Sequence, residues 1–313
     1  MTDQDLTTHS AQEDARNQHI KIYVNGALLP REQATVSVYD AGFMLGDGMW
    51  EGMRLYDGYW AFIDEHLGRL LDSCKAISLD IGMDRQGLRD ALARTAAAND
   101  MHTDVHCRLM LTRGIKDKPF QHPALSTSGP TMVIIMEHSR PRTDLLERGI
   151  RLASVPQVRG LPHSQDAKLN SHSKLNCVIA CLQAEAAGAD EALMLDPHGF
   201  VNTTNACNFF IVRDGEVWTS SGDYCMKGVT RQKVIDLCHR HGIPVREKNY
   251  SLYEAYSADE AFLTGTFGAQ TPVASIDGHR LGSSAGAGPI TRALRQHYQQ
   301  LVTENITVQR EQA

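Results

Sequence analysis

With 313 residues the chain is long enough for one large domain or two of ordinary size. A content of 42% hydrophobic and 22% charged residues is that of a folded globular protein rather than a disordered or fibrous one. The net charge of -6 leaves no basic footprint for nucleic acid, and no apolar run approaches the ~18–20 residues of a membrane helix, so neither partner is expected.

Residues 1–18 are polar and hold no apolar signal core, so they read as a flexible tail on a cytoplasmic protein. Ile20 to Val24 followed by Asn25-Gly26 predict a strand entering a hairpin. Asp40 to Gly48 is punctuated by glycine and reads as a loop. Met49 to Tyr56 alternates like a strand, stops at Asp57-Gly58 and returns as a strand over 59–63. His66, Leu67, Leu70, Leu71, Cys74 and Ile77 then share one helical face, and a second amphipathic helix covers 86–99. Residues 107–112 and 131–136 are apolar strands. The charged stretch 137–148, with Pro141, is the linker candidate.

A second half starts with a strand over 150–155, a helix over 178–187 and a strand over 191–195. Strands at 208–212 and 216–219 flank the turn Asp214-Gly215, and Thr230 to His241 forms a helix stopped by Gly242. Val245 and 261–263 add strands, and a helix over 290–301 closes the chain. Strands and helices mix irregularly, which predicts an α+β fold in two domains. The expected boundaries are a tail over 1–18, a smaller domain over 19–138, a linker over 139–149 and a larger domain over 150–313, with a ligand cleft between the domains. The seven scattered cysteines have no zinc-site spacing and read as reduced, buried thiols; the fourteen histidines form no metal motif.

Two loops carry the chemistry. Gly228-Val229-Thr230-Arg231 opens a helix, where unpaired N–H groups and the helix dipole attract a phosphate and glycine permits close approach. Read alone, it is more readily an ordinary helix start, with Thr230 satisfying the first turn. Gly265-Thr266 ends an apolar strand and offers a second N–H and hydroxyl. The pair points to a phosphorylated cofactor, and so to a search for a lysine that bears it.

GVTRQKVIDLCHRHGIPVREKNYSLYEAYSADEAFLTGTFGAQTPVASIDG, with GADEALMLDPHGFVNTTNACNFFIV and LGDGMWEGMRLYDGYWAFIDEHLGRLLDS upstream, resembles the class IV, fold-type IV, pyridoxal-phosphate aminotransferases. That group includes branched-chain and D-amino-acid aminotransferases and aminodeoxychorismate lyase. The resemblance implies a two-domain fold-type IV enzyme, pyridoxal 5′-phosphate (PLP) as cofactor and a homodimer. It also implies that Arg54 binds the cofactor phosphate with Val229, Thr230 and Thr266, and that Met226 packs against the ring. A guanidinium fork on a strand suits a phosphate, although a plain surface arginine would look the same in sequence. His66 and Arg69 match a structural HxxRL helix.

The same resemblance requires a Schiff-base lysine between Arg159 and the helix that follows, and two compete. Lys168 needs only a short insertion relative to the family and ends an extended segment; Lys174 needs a larger deletion and is expected inside the helical run. Lys168 is preferred. The family's glutamate at the ring nitrogen is replaced here by Thr203, whose hydroxyl can donate or accept but carries no charge, so a weaker electron sink is expected. The family's D-amino-acid carboxylate grip is also missing, since the matching places hold Phe43, Lys118 and Phe120. Phe43, Trp50 and Phe267 instead predict an apolar substrate pocket. The expected activity is a transaminase acting on an amino donor, apolar amino acid or amine, and a 2-keto acid. A lyase on the same scaffold and a non-catalytic PLP-binding homologue are the alternatives.

Overall fold

The computed structural model describes residues 7–282 and 286–312. The chain divides into an amino-terminal unit (residues 12–140, 169–174 and 305–313) and a carboxy-terminal unit (residues 1–11, 141–168 and 175–304).

The amino-terminal unit runs β1 (Lys21–Val24), β2 (Ala27–Pro30), α1 (Ala41–Leu45), β3 (Gly48–Tyr56), β4 (Tyr59–Trp60), α2 (Ile63–Ala76), α3 (Arg85–Ala98), β5 (Val105–Thr112) and β6 (Thr131–His138). Its six strands are antiparallel in the order β2-β1-β6-β5-β3-β4. Both predicted hairpins form, because Asn25-Gly26 and Asp57-Gly58 take the positive φ that a tight two-residue turn needs. Along β3 the pleat sends Met49, Glu51, Met53 and Leu55 to one side, buried with Leu67, Leu70, Leu88 and Leu92 of α2 and α3. Each such leucine contributes about 1.5–3 kcal/mol. Trp50, Gly52 and Arg54 occupy the other side. The predicted loop at 40–48 instead contains α1. Asp40 caps its start by accepting from the Gly42 N–H, and Gly46, in the left-handed region, ends it.

The carboxy-terminal unit runs α4 (Asp144–Arg148), β7 (Ile150–Val155), α5 (Pro162–Gln165), α6 (Leu175–Ala186), β8 (Glu191–Leu195), β9 (Val201–Thr204), β10 (Asn208–Arg213) and β11 (Glu216–Thr219). It continues with α7 (Val229–Arg240), β12 (Val245–Glu247), α8 (Leu252–Tyr256), β13 (Glu260–Gly265), β14 (Ala269–Ile276), β15 (His279–Arg280) and α9 (Pro289–Gln312), whose residues from 305 onward fall in the amino-terminal unit. The strand order β12-β11-β10-β13-β14-β7-β8-β9 is joined by a pairing of β9 back to β10, so six strands close into a ring. Its inside is apolar, with Leu152, Leu193, Val201, Phe209, Ile211 and Leu263 in one core cluster.

Two expectations change. The linker placed at 139–149 holds α4, whose Leu145 is buried in that core. Of the tail placed at 1–18, residues 1–6 lie outside the described residues, but Thr8 and Ser10 are buried and Ala15–His19 form a short 3-10 helix. All seven cysteines are free thiols, and Cys181 alone of them is exposed. No described helix is long and apolar enough to cross a membrane, and no metal-binding group of three side chains occurs among the described residues.

Candidate active site

In the carboxy-terminal unit the site begins with register. Thr203 of β9 pairs with Asn208 of β10, Asn208 with Thr264 of β13, and Thr264 with Gln270 of β14. Four buried polar side chains thus form one row across four strands. An irregularity opposite Met194 and Leu195 leaves Asn202 unpaired, so Val201 faces the core while Thr203 joins the row on the other side. Thr203 stands inside β9.

Asn208 ties this row to the α7 entrance. Its amide nitrogen donates to the Met226 carbonyl at 2.9 Å, and its oxygen accepts the Gly228 N–H at 3.3 Å. Any side chain on Gly228 would collide with that oxygen. The first turn of α7 holds no acidic residue, and its leading N–H groups have no partner a turn back, so it is open to an anion. Val229 and Thr230 are buried there, Thr230 Oγ1 lying 3.4 Å from the Tyr298 hydroxyl. Thr266 and Phe267 sit in the turn between β13 and β14; Phe267 is buried and Thr266 half-buried. Met226 is half-buried in the loop before α7.

Several atoms of the row and of the neighbouring Asn202 remain unsatisfied. Asn202 Oδ1, Thr264 Oγ1 and both ends of the Gln270 amide make no hydrogen bond among the described residues. Buried polar groups are normally paired, so these atoms mark a place for water or a ligand. Thr203 differs: its hydroxyl donates to the Cys207 carbonyl at 2.5 Å. Its proton is spent, and towards any ligand it can only accept.

The two competing lysines fall in different units. Lys168 is exposed in the turn after α5, its N–H held by Asp166 Oδ1 at 2.9 Å. Lys174 lies immediately before α6 rather than within it, which removes one sequence argument against it; its Nζ is 5.9 Å from the centre of the Trp50 ring. Arg159, which the sequence reading used only as a landmark, donates to the Thr204 carbonyl at 2.5 Å and lies 3.5 Å from Cys177 Sγ. An arginine in an otherwise apolar VRGLP stretch was the available signal.

In the amino-terminal unit Arg54 is only 3% exposed, its guanidinium 3.9 Å from Asp104 and 5.4 Å from the Tyr56 ring centre. Trp50 is bracketed by the segment 169–174. Its N–H donates to Asn170 O at 3.0 Å, Asn170 Nδ2 donates to Trp50 O at 2.7 Å, and its indole N–H donates to Ser171 O at 3.2 Å. Arg108, opposite Gly52 on β5, stacks over the Trp50 ring at 3.9 Å. Desolvation lowers the Arg108 pKa, and burial together with the Arg108 charge lowers that of His172. Sequence reasoning missed Arg108; strict alternation along HCRLML places it beside Trp50 once the register is known. Phe43 does not join this face. It is 71% exposed on α1, so within one chain it lines no pocket.

Behind this face, Glu51 is fully buried between His66 Nδ1 at 2.8 Å and Arg69, whose guanidinium makes bonds of 2.7 and 2.8 Å. Burial pushes its carboxyl up, but the Arg69 charge and the hydrogen bonds outweigh that and hold it below the usual carboxylate range. The clamp fixes β3 on α2, and with it the strand that carries Trp50 and Arg54.

Comparison with known proteins follows the same outline. The family model for amino-transferase class IV matches residues 48–276. Branched-chain-amino-acid aminotransferase-like protein 1 of Arabidopsis thaliana is 37% identical over 289 residues, covering 92% of this chain and 52% of that protein. The chain thus spans about half the length of that relative. A putative branched-chain-amino-acid aminotransferase of Methanocaldococcus jannaschii is 38% identical over 91% of this chain and 97% of that protein. Among solved structures, the branched-chain amino acid aminotransferase of Thermobaculum terrenum in its PLP-bound holo form superposes with a TM-score of 0.80 at 27% identity, covering 92% of this chain and 95% of that one.

Proposed function

The chain belongs to the class IV aminotransferases, and we propose that it is a PLP-dependent transaminase moving an amino group between an apolar or branched-chain amino acid, or an amine, and a 2-keto acid. The observation that carries this reading is the α7 entrance. Gly228 can hold no side chain, no carboxylate opposes an anion in the first turn, and Asn208 fixes the approach. That is a cradle for a phosphate.

The residues present fit the cofactor. In the carboxy-terminal unit Val229, Thr230 and Thr266 would hold its phosphate, Met226 would pack on its ring and Thr203 would meet the ring nitrogen. In the amino-terminal unit Arg54 is the candidate cation for the phosphate. When bound, PLP supplies an electron sink and a carrier for the amino group. Lys168 would supply the amine that anchors it and would move a proton at the substrate Cα. Thr203 would accept from a ring N–H without contributing charge, so it would tolerate ring protonation without enforcing it. Trp50 and Phe267 supply apolar surface for a side chain.

We also infer a homodimer. Val38, Phe43 and Phe120 are 67%, 71% and 59% exposed, more large apolar surface than a lone unit gains by showing. A second copy of the chain is the occupant proposed for it, and would give Phe43 a buried role. Sedimentation of wild type and Phe43→Asp tests this: a monomeric wild type defeats it.

The main test is titration of purified protein with PLP, followed by a screen of L-amino acids, D-amino acids and amines against 2-keto acids. Uptake of PLP with a near-visible absorption band and keto acid release from an apolar donor are expected. Lys168→Ala should lose at least about a thousandfold in turnover and leave no borohydride-trapped cofactor on that peptide. Trapping at Lys174 would reassign the lysine, and absence of any PLP uptake would end the transaminase reading.

A further inference from the structure

The segment Thr7–Ser10 precedes the matched family region, which starts at residue 48, and carries none of the residues assigned so far. It is nevertheless built into the ring of strands. Thr8 is 3% exposed. Its N–H donates to Glu191 Oε1 at 2.8 Å, and its hydroxyl donates to the same oxygen. Glu191 is buried at the start of β8, where its other oxygen meets the Thr204 hydroxyl at 3.3 Å. Thr8 Oγ1 also lies 3.4 Å from Cys207 Sγ. Burying a carboxylate is costly unless donors replace the lost water, and among the described residues Thr8 supplies two of the three donors at Glu191.

What these contacts hold is the corner between β9 and β10. The Cys207 carbonyl receives the Thr203 hydroxyl at 2.5 Å and the Thr204 N–H at 2.9 Å, while Thr204 Oγ1 accepts the Cys207 N–H at 2.8 Å. The Thr204 hydroxyl has one proton, shared between Glu191 and the Cys207 carbonyl at 3.1 Å. The carboxylate and the Thr203 hydroxyl are therefore joined through the Thr204 hydroxyl and the Cys207 carbonyl. A second arm of the segment reaches the other loop. The His9 ring stacks on Phe267 at 6.3 Å, and the Thr8 carbonyl lies 3.5 Å from where a Cβ on Gly268 would sit.

We propose that Thr7–Ser10 is a working strap of this site: Thr8, by closing the Glu191 carboxylate, positions the corner that presents the Thr203 hydroxyl to the cofactor ring. This rests on the assignment of Thr203 to the ring in the preceding reading. Thr8 touches neither cofactor nor substrate in this scheme. It is a positioning residue, acting through Glu191 and Thr204.

The test uses full-length protein reconstituted with PLP. Thr8→Val keeps the shape and removes the hydroxyl. The PLP dissociation rate should rise about tenfold, the worth of one hydrogen bond to a buried charge. The visible circular dichroism of bound PLP, which reports how the ring is held, should fall in amplitude. Thr8→Ser should restore both. A strap that only stabilises the fold would lower the thermal midpoint of the cofactor-free protein and leave both cofactor signals at the wild-type value; that result overturns the proposal while the transaminase reading stands. A wild-type protein that takes up no PLP overturns both. If Thr8→Val does not fold, Thr8→Ala, which keeps the N–H bond to Glu191, is judged by the same two signals.

Discussion

Two buried polar groups of residues in this molecule behave differently. In the amino-terminal unit, Glu51, His66 and Arg69 form a closed set in which both carboxylate oxygens are used. In the carboxy-terminal unit, the row Thr203, Asn208, Thr264 and Gln270 is open, with a hydroxyl in its middle and an amide at its end that have no partner among the described residues. Burial alone does not separate structure from function. What separates them is whether the hydrogen-bond accounts balance inside the protein, since an unbalanced group is stable only if something else completes it.

The largest effect expected is at the closed set. Glu51→Ala leaves Arg69 without its buried partner and should cost about 3–5 kcal/mol in denaturant unfolding. Whatever still folds should bind PLP as before; a loss of affinity out of proportion to stability would blur the contrast. The closed set also has an acid limb. The folded-state carboxyl of Glu51 is held below the usual glutamate range, so its stabilisation is complete above that range and is lost as pH falls through the lower folded value. Glu51→Gln should flatten the stability profile below about pH 4.5, read from thermal unfolding across pH.

At the open end, Gly228→Ala forces a methyl against Asn208 and should weaken PLP binding about tenfold to a hundredfold, with a smaller change in unfolding. Thr203→Glu should change turnover by a few-fold to tenfold, and the sign is informative. A fall means the neutral contact belongs to the reaction; a rise means the threonine limits it. The smallest effect is Thr264→Val. Removing an unpaired buried hydroxyl should leave the cofactor-free protein within about 0.5 kcal/mol of wild type or slightly more stable. A loss of more than about 2 kcal/mol would show that the hydroxyl is already paired, and the row would then be as closed as the glutamate clamp.

Sequence was a good guide wherever the determinant is local. Asn25-Gly26 and Asp57-Gly58 specify their turns through two residues, and β7 and β8 fall where their apolar runs do. The α7 entrance was visible because a glycine, a threonine and an amphipathic run are contiguous. The row was not, because Thr203 and Gln270 become neighbours only through strand pairings that no local pattern encodes. The outward turn of Thr203 depends on an unpaired Asn202, and the position of Arg108 over Trp50 depends on register. Phe43 was placed in a pocket because its type fits one. Its exposure follows from α1, a helix set by a cap and a glycine rather than by hydrophobic periodicity.

The amino-terminal strap also bears on the order in which this protein can be completed. Thr8 and Glu191 are 183 residues apart. At a synthesis rate of about 5–20 residues per second, Thr8 waits roughly ten to forty seconds before its acceptor exists. During that interval the segment has nothing to hold, and its polar residues, Thr7 to Ser10, suit a chain that must stay in water until called upon. The β9–β10 corner, in turn, emerges before its buried carboxylate can be fully satisfied unless the strap returns. Docking of the strap is then a late, checkable event in maturation, visible as the last protease-sensitive site to disappear from newly made chains.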